Sequence, residues 1–596
     1  MAALDDLIKL IQDDDLRGRL KAEFDKLRRR KKFGLVFESH VEEACKPIYP
    51  ALTELDDVSR APDSDLWHVL IEAENFHALQ LLKYLYAGKV DCIYIDPPYN
   101  TGARDWKYNN DYVDATDTFR HSKWLSMMER RLVLAKELLS DSGAIFISID
   151  DNEQATLKLL CDDVFGASNF VSSLPWQSRQ SLQNDTDLSI NHEFIVVYAK
   201  KRRMKDRRLK PSNADRWHSI KEFAFNPLPI DESKFSNPDD DPRGAWKADP
   251  FDAPNVRPNL TYPITNPNTS EIFLPPKGRC WRVSPEKFAA LLADERIVFG
   301  KTGKTKPQLK VFLSEQKFLG TVPNSWFDAE SYGTATEGTK LLQKIFGDEK
   351  TFATPKPPRL IEKILRMATN KPDALIVDFF AGSGTTLHAV NLLNALDGGK
   401  RRCILVTNNE VSDAEEKSLR KQGLTPADDA WQALGIARHV TWARTRCSIE
   451  GHDINGTPLK GNYLGTDLAM ADGFKSNAIF FKLTYLERDD VALGRSFKEL
   501  LPVLWLKAGG IGKCPTLDTE EPFKIFAANK FAVLLDERRF KEFAEALRVE
   551  EEVETIFIAT GSKATLNKMR ELLNVPRAVR LYGDYLKHFR AKEVTR

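Results

Sequence analysis

The 596-residue chain has only seven cysteines, Cys45, Cys92, Cys161, Cys280, Cys403, Cys447 and Cys514, and no two stand as a CxxC pair. So sparse a set argues against a disulfide scaffold or a structural zinc site and suits a reducing compartment. Long apolar runs are also missing. None reaches the roughly 20 residues needed to span a bilayer. The N-terminus, MAALDDLIKLIQDDD, has acids where a secretory signal needs basic residues. The expectation is a cytoplasmic protein without membrane contact. An excess of one charge is lacking too: 87 basic residues against 86 acidic leave a formal +1. Any nucleic-acid contact must therefore rest on local basic surface. Phosphate-binding loops are absent: there is no full GxGxxG, and GKTGKTK at 300–306 lacks the first glycine of GxxxxGK[ST]. No metal-ligand or metal-dependent nuclease cluster stands out.

Apolar residues make up 42% and charged residues 29%, enough material for more than one hydrophobic core. Basic residues concentrate in two runs, Arg28–Lys32 and Lys200–Lys210, where solvated surface competes with phosphate contact as the explanation. Residues 1–60 read as a charged, mostly helical segment, with Leu7, Leu10, Ile11, Leu16 and Leu20 as an apolar stripe. From 61 to 200 the pattern alternates. LWHVLIEA is strand-like, NFHALQLLKYLYAGK is helical, VDCIYI is a strand ending at Asp96, and AIFISI and HEFIVVYAK are further strands. Residues 201–330 are rich in Pro and Gly, with weak periodicity until WRVSPEKFAALLADE. They are too many for a structureless connection and imply an inserted module. The α/β grammar returns over 331–485, and 486–596 forms a third α/β-like segment.

Two constellations carry chemistry. Asp96-Pro97-Pro98-Tyr99-Asn100 follows the apolar strand CIYI directly, and ligands of open parallel sheets sit beyond the carboxyl ends of strands. Two prolines remove two N–H donors and leave carbonyls. With the Asp96 carboxylate they make an acceptor-rich pocket suited to the amine of adenine or cytosine, and Tyr99 offers a stacking face. The second is Asp378-Phe379-Phe380-Ala381-Gly382-Ser383-Gly384-Thr385-Thr386, between a strand and a helix. Its glycines permit a tight turn and close ligand approach, and the helix N-terminus favours a carboxylate. Glu410, read as the end of the next strand, is placed to accept from ribose hydroxyls. A Pro-rich strand closure and a plain tight turn are the structural alternatives for these two stretches.

These residues resemble the amino-group DNA methyltransferases, most closely the modification subunit of type III restriction–modification systems. In that family DPPY is the catalytic motif and FxGxGTT the cofactor loop, in the order catalytic half, target-recognition region, cofactor half. The order here matches: DPPYN at 96–100, the odd module at 201–330, then DFFAGSGTT at 378–386. Weaker agreement comes from KFGLVFESH, FISIDDNE, NHEFIVVYAK, TATEGTKLLQKIFG and PKPPRLIEKIL. The resemblance implies a Rossmann-like α/β methyltransferase core with permuted motif order, an inserted target-recognition module and an α/β C-terminal segment. It implies S-adenosyl-L-methionine as cofactor and double-stranded DNA, with the target base flipped out, as substrate. Asp96, Pro97, Pro98 and Tyr99 are the implied catalytic residues. Lys356, Pro357, Asp378, Phe380, Ala381, Gly382, Gly384, Thr385 and Glu410 are implied at the cofactor. Glu74 and Asn75 join them, although Ala73-Glu74-Asn75 replaces the family's Gly-Asp-Asn. DPPY in place of SPPY leans toward adenine N6. Cytosine N4 and a DNA-reading subunit with weak transfer stay open. The segment 486–596 is expected to serve a homodimer or a separate restriction or helicase subunit.

Overall fold

A computed structural model describes residues 16, 35–40, 48–108, 111–182, 187–203, 221–316, 320–347, 351–369, 371–517, 521–550 and 552–589. The basic run Arg28–Lys32, the apolar stripe before and after Leu16, and the part of the second basic run beyond Arg203 lie outside the described residues. The chain divides into two compact units, and the described part of the smaller one is residues 224–316 and 320–324.

The larger unit is built on a nine-stranded sheet. Its strands are β1 (Pro50–Ser59), β2 (His68–Glu72), β3 (Val90–Ile95), β4 (Leu139–Ile149), β5 (Phe170–Trp176), β6 (Glu193–Ala199), β7 (Leu375–Asp378), β8 (Arg402–Thr407) and β9 (Asn477–Tyr485). The spatial order is β1-β9-β2-β8-β7-β3-β4-β6-β5. The six strands from β9 to β4 are parallel, and β1, β6 and β5 pair antiparallel at the two sides. β2 and β3 are buried along their whole length, as the near-continuous apolar composition of a parallel sheet covered on both faces requires. The one acid inside β3, Asp91, is buried beside Lys371 (2.5 Å) and accepts from the Leu375 amide (3.1 Å).

Four helices matter for the site: α1 (Asn75–Tyr86), α2 (Arg120–Leu138), α3 (Pro358–Ala368) and α4 (Thr385–Asp397). The α1 apolar stripe, Ala78, Leu79, Leu81, Leu82 and Leu85, is fully covered. Its N-terminus is capped by Glu74, whose carboxylate accepts from the His77 amide at 3.1 Å. Among the described residues no helix is long and apolar enough to cross a membrane.

The permuted order follows from topology. β3 and β7, far apart in sequence, are parallel neighbours, with Ile376 opposite Cys92 and Val377 opposite Ile93. The residues that follow them, Asp96 and the Phe379–Gly384 turn, therefore emerge at the same edge of the sheet. Because β6 runs antiparallel to β4, with Phe194 opposite Ile149, its first residue, Glu193, lies at that edge too.

Three readings from the sequence are corrected here. The segment 1–60 is not helical to its end. Pro50–Ser59 is the edge strand β1, whose partner β9 lies more than four hundred residues away, out of reach of any local pattern. The strand leading to Glu410 stops at Thr407. The Glu410 carbonyl then accepts from the Ile436 amide (2.9 Å) and Asn409 donates to the Gln432 carbonyl (2.8 Å), so the chain has left the sheet. The insert is also shorter than 201–330. Phe223 donates to the Lys201 carbonyl (2.7 Å) and Phe327 to the Pro175 carbonyl (2.9 Å), which fastens both of its ends into the larger unit.

The described residues of 486–596 belong to the larger unit. They contribute helix α5 (Phe497–Ala508) and a four-stranded sheet of β10 (Phe523–Phe526), β11 (Phe531–Leu534), β12 (Thr555–Ile558) and β13 (Arg577–Arg580). Leu500, Leu504, Trp505 and Tyr585 enter the same hydrophobic core as β2 and α1, and the Tyr585 hydroxyl donates to the Pro50 carbonyl (2.8 Å).

The smaller unit has its own core of Phe251, Ile264, Phe273, Trp281, Phe288, Ile297 and Phe299. A three-stranded sheet, Trp246–Pro250, Gln308–Phe312 and Ile297–Val298, frames it together with the helix Pro285–Ala293. Lys310, buried in the central strand, is neutralised by Asp239 (2.6 Å) and Asp241 (2.9 Å).

Candidate active site

The DPPYN turn is held from three directions. The Pro98 carbonyl accepts from the indole N–H of Trp124 on α2 (2.7 Å). Asn100 takes the left-handed conformation (φ 57°), one that asparagine adopts more readily than most residues. Its amide donates to the fully buried Glu153 (2.6 Å) and its carbonyl oxygen accepts from Trp106 Nε1 (3.1 Å). His121 also meets Glu153, at 2.5 Å. These contacts fix the turn and aim Asp96 and Tyr99 outward from the end of β3.

Asp96 meets Lys356, which comes from the other half of the core. The Lys356 ammonium lies 3.0 and 2.9 Å from the two Asp96 carboxylate oxygens, 2.9 Å from the Tyr99 hydroxyl and 3.4 Å from Glu193. Tyr99 donates its hydroxyl to Glu193 (2.8 Å). The Lys356 side chain is 7% accessible and that of Asp96 27%, so the ammonium is buried while the carboxylate still reaches solvent. Burial raises the Asp96 pKa above the usual aspartate value, opposed chiefly by the Lys356 charge. Burial works against the Lys356 ammonium, but Asp96 and Glu193 outweigh it and hold its pKa above that of an ordinary lysine.

The backbone at Lys356 is anchored to the glycine loop. Its carbonyl accepts from Thr385 Oγ1 (3.2 Å), at the start of α4. A helix residue, Gly338, lets this segment pass: a Cβ there would stand 2.1 Å from the Pro355 carbonyl oxygen. Pro357 is buried and ends the segment at the N-cap of α3.

The loop between β7 and α4 is braced from within. Asp378 accepts from the Phe380 amide (3.0 Å) and from Thr386 Oγ1 (2.6 Å). Burial pushes the Asp378 carboxyl up to about 7 despite these two bonds. Ala381 donates to the Val406 carbonyl of β8 (3.1 Å). Gly382 and Gly384 have φ of 48° and 77°, a region that costs most side chains energy. A Cβ at Gly382 would lie 3.0 Å from the Phe352 ring. Behind the loop, the buried Arg444 donates to the Ser383 carbonyl (3.2 Å), Ser383 Oγ (3.0 Å) and Thr385 Oγ1 (2.8 Å).

The turn after β2 supplies the neighbouring wall. Asn75 donates to the Phe379 carbonyl (3.0 Å), and Arg131 of α2 holds Asn75 Oδ1 and Glu74 Oε1, both at 2.5 Å. The glutamate that replaces the family's aspartate is thus both a helix cap and an arginine partner. Glu410 is exposed, three residues beyond β8, within electrostatic reach of Lys107 and Glu74. The structure therefore gathers Glu74, Asn75, Asp378, Phe380, Ala381, Gly382, Gly384, Thr385 and Glu410 around the ends of β2, β8 and β7. Asp96, Tyr99 and Lys356 lie beside them at the end of β3. The Lys356 backbone stands with the loop, and its side chain points to Asp96.

Sequence reasoning did not single out Glu193, Glu153, Trp124, Arg131 or Arg444. The one available signal was an acid opening a strand in NHEFIVVYAK. Its meaning depends on β6 being antiparallel.

Residues 90–404 match the family model described as DNA methylase, and the chain belongs to that family. It is 35% identical over 411 residues to the type III restriction-modification enzyme StyLTI Mod subunit of Salmonella typhimurium, covering 64% of this chain and 59% of that protein. It is 32% identical to the EcoPI Mod subunit of Escherichia phage P1, over 58% of each chain. Type II methyltransferase M.KpnI of Klebsiella pneumoniae is 33% identical, over 56% of this chain and 79% of its own length. The chain thus spans just under three-fifths of the two Mod subunits it matches.

Proposed function

We propose that this protein is a DNA methyltransferase that moves a methyl group from S-adenosyl-L-methionine to the exocyclic amine of a base, with adenine N6 as the target, in a restriction–modification setting. The observation that carries the reading is the juxtaposition of the Asp96–Tyr99 turn and the Asp378–Thr385 loop on adjacent parallel strand ends.

The residues fit the cofactor. The left-handed glycines keep the loop surface free of side chains beside Phe352 and Phe380. The loop opens into the N-terminus of α4, which favours a carboxylate. Glu410 is an exposed acid suited to ribose hydroxyls. Gly382, Gly384, Phe380, Asn75, Glu74 and Glu410 would hold it, and when bound it supplies an electrophilic methyl on a sulfonium. The protein's part is positioning. A flipped base enters over Tyr99 and places its amine between Asp96 and the Pro97 carbonyl, the Pro98 carbonyl being engaged by Trp124. Two acceptors hold the two N–H bonds, draw the nitrogen lone pair out of conjugation and direct it at the methyl. Asp96 in place of serine at the head of the motif supports adenine. A homodimer, or a separate restriction or helicase subunit that carries out cleavage, completes the proposed system.

The test is to incubate purified protein with unmethylated duplex DNA and isotopically labelled cofactor, digest to nucleosides and resolve the products by mass spectrometry. Labelled N6-methyl-2'-deoxyadenosine is expected. Labelled N4-methyl-2'-deoxycytidine would move the target base, and no labelled nucleoside would end the reading.

A further inference from the structure

We propose that Glu193 and Lys356 are positioning residues that set the charge of the amine pocket, Lys356 keeping Asp96 ionised and Glu193 leaving the pocket one negative charge in excess. This rests on the methyltransferase reading. The ammonium lies within 3.4 Å of both carboxylates and 2.9 Å of the Tyr99 hydroxyl. Asp96 and Lys356 alone would be neutral, and adding Glu193 gives a net charge of −1.

Transfer needs that excess. As the amine nitrogen bonds to the methyl carbon, the C–S electron pair stays with sulfur and positive charge develops on nitrogen. One N–H proton then leaves through the Asp96 carboxylate to solvent. A bare ammonium within a few ångströms would oppose that developing charge, whereas an ammonium neutralised by a second carboxylate does not. Without Lys356 two half-buried carboxylates would be left close together with no cation between them, which favours protonation of one and the loss of an acceptor. The groups facing Asp96 are Lys356, Glu193, Tyr99, Tyr94 and Asp378, so its ionisation is a property of the cluster. Tyr99 links the two functions because its hydroxyl donates to Glu193 while its ring lies under the Lys356 ammonium (5.1 Å).

The experiment compares pH profiles of single-turnover methylation for wild type, Glu193→Gln, Lys356→Met and Lys356→Arg, with cofactor and DNA affinities measured alongside. Glutamine can still accept from Tyr99 and removes only the charge. Glu193→Gln is expected to slow transfer by about 100-fold, leave both affinities within about two-fold, and move the acid limb to lower pH. Lys356→Met is expected to move that limb to higher pH, by about one pH unit or more, and Lys356→Arg to restore it. Limbs that stay put, or move in the same direction in the two charge-removing variants, overturn the proposal if the wild type methylates DNA. A wild type that yields no methylated amino base overturns the function beneath it instead.

Discussion

Asp378 gives the sharpest quantitative test of how the glycine loop after β7 is built. Its carboxyl is 2% accessible, bonded only to neutral donors, and titrates near 7 in the fold against 3.8 for the free group. The pKa is raised, so its stabilising contribution is complete below pH 4 and is lost as pH climbs through 7. A shift from 3.8 to about 7 corresponds to about 4 kcal/mol between those limits. Asp378→Asn keeps an acceptor for the Phe380 amide and turns an N–H toward Thr386 Oγ1, so it mimics the protonated form at every pH. Integrating the linkage from pH 5 to pH 8, the variant should gain about 2–3 kcal/mol on wild type. Equilibrium urea unfolding of the two proteins at pH 5, 6, 7 and 8, followed by tryptophan fluorescence, measures that difference. Subtracting one protein from the other cancels the titrating groups that Asp378 does not influence and leaves its coupling to Asp96 inside the difference. A stability gap that stays constant across this range would refute the claim that Asp378 is held as a buried, poorly compensated acid.

Other perturbations have equally definite outcomes. Gly338→Ala should destabilise by about 1–3 kcal/mol by overpacking, against the usual helical gain of alanine over glycine, because its Cβ would stand 2.1 Å from the Pro355 carbonyl. Thermal melting checks the stability, and a methylation assay should show the loss that follows from displacing Lys356. Asp96→Ala should cut transfer by about three orders of magnitude with an unchanged far-ultraviolet circular dichroism spectrum. Near wild-type incorporation of labelled methyl would sink its assigned role. Neutralising Lys205, Arg207, Arg208 and Lys210 should weaken DNA binding and flatten the dependence of log K on log salt by about 0.9 for each phosphate that is no longer neutralised. An unchanged slope would make that run solvated surface.

Much of the candidate site was legible as local structure because each half of it is written in one stretch of chain. A fully buried strand, a double proline and a left-handed glycine turn are written in consecutive residues, and both loops stand at the ends of the strands they follow. What could not be read depends on distant pairing. β1 is a strand because β9 lies beside it. The strand before Glu410 ends early because Ile436 claims the Glu410 carbonyl. Glu193 faces Asp96 because β6 runs against its neighbour, and no spacing rule connects residue 356 to residue 96. The alternation that marked 486–596 as α/β was visible. That Leu500 and Trp505 complete the main core was not, since an amphipathic face does not name what will cover it.

The two clasps at the ends of the insert, Lys201 with Phe223 and Pro175 with Phe327, have an evolutionary consequence. The polypeptide leaves the larger unit and rejoins it beside backbone hydrogen bonds that any residue except proline can donate. A different insert, spliced between the same fastenings, would leave the pairing of the large sheet untouched, so this stretch can be exchanged without rebuilding the strands that carry it.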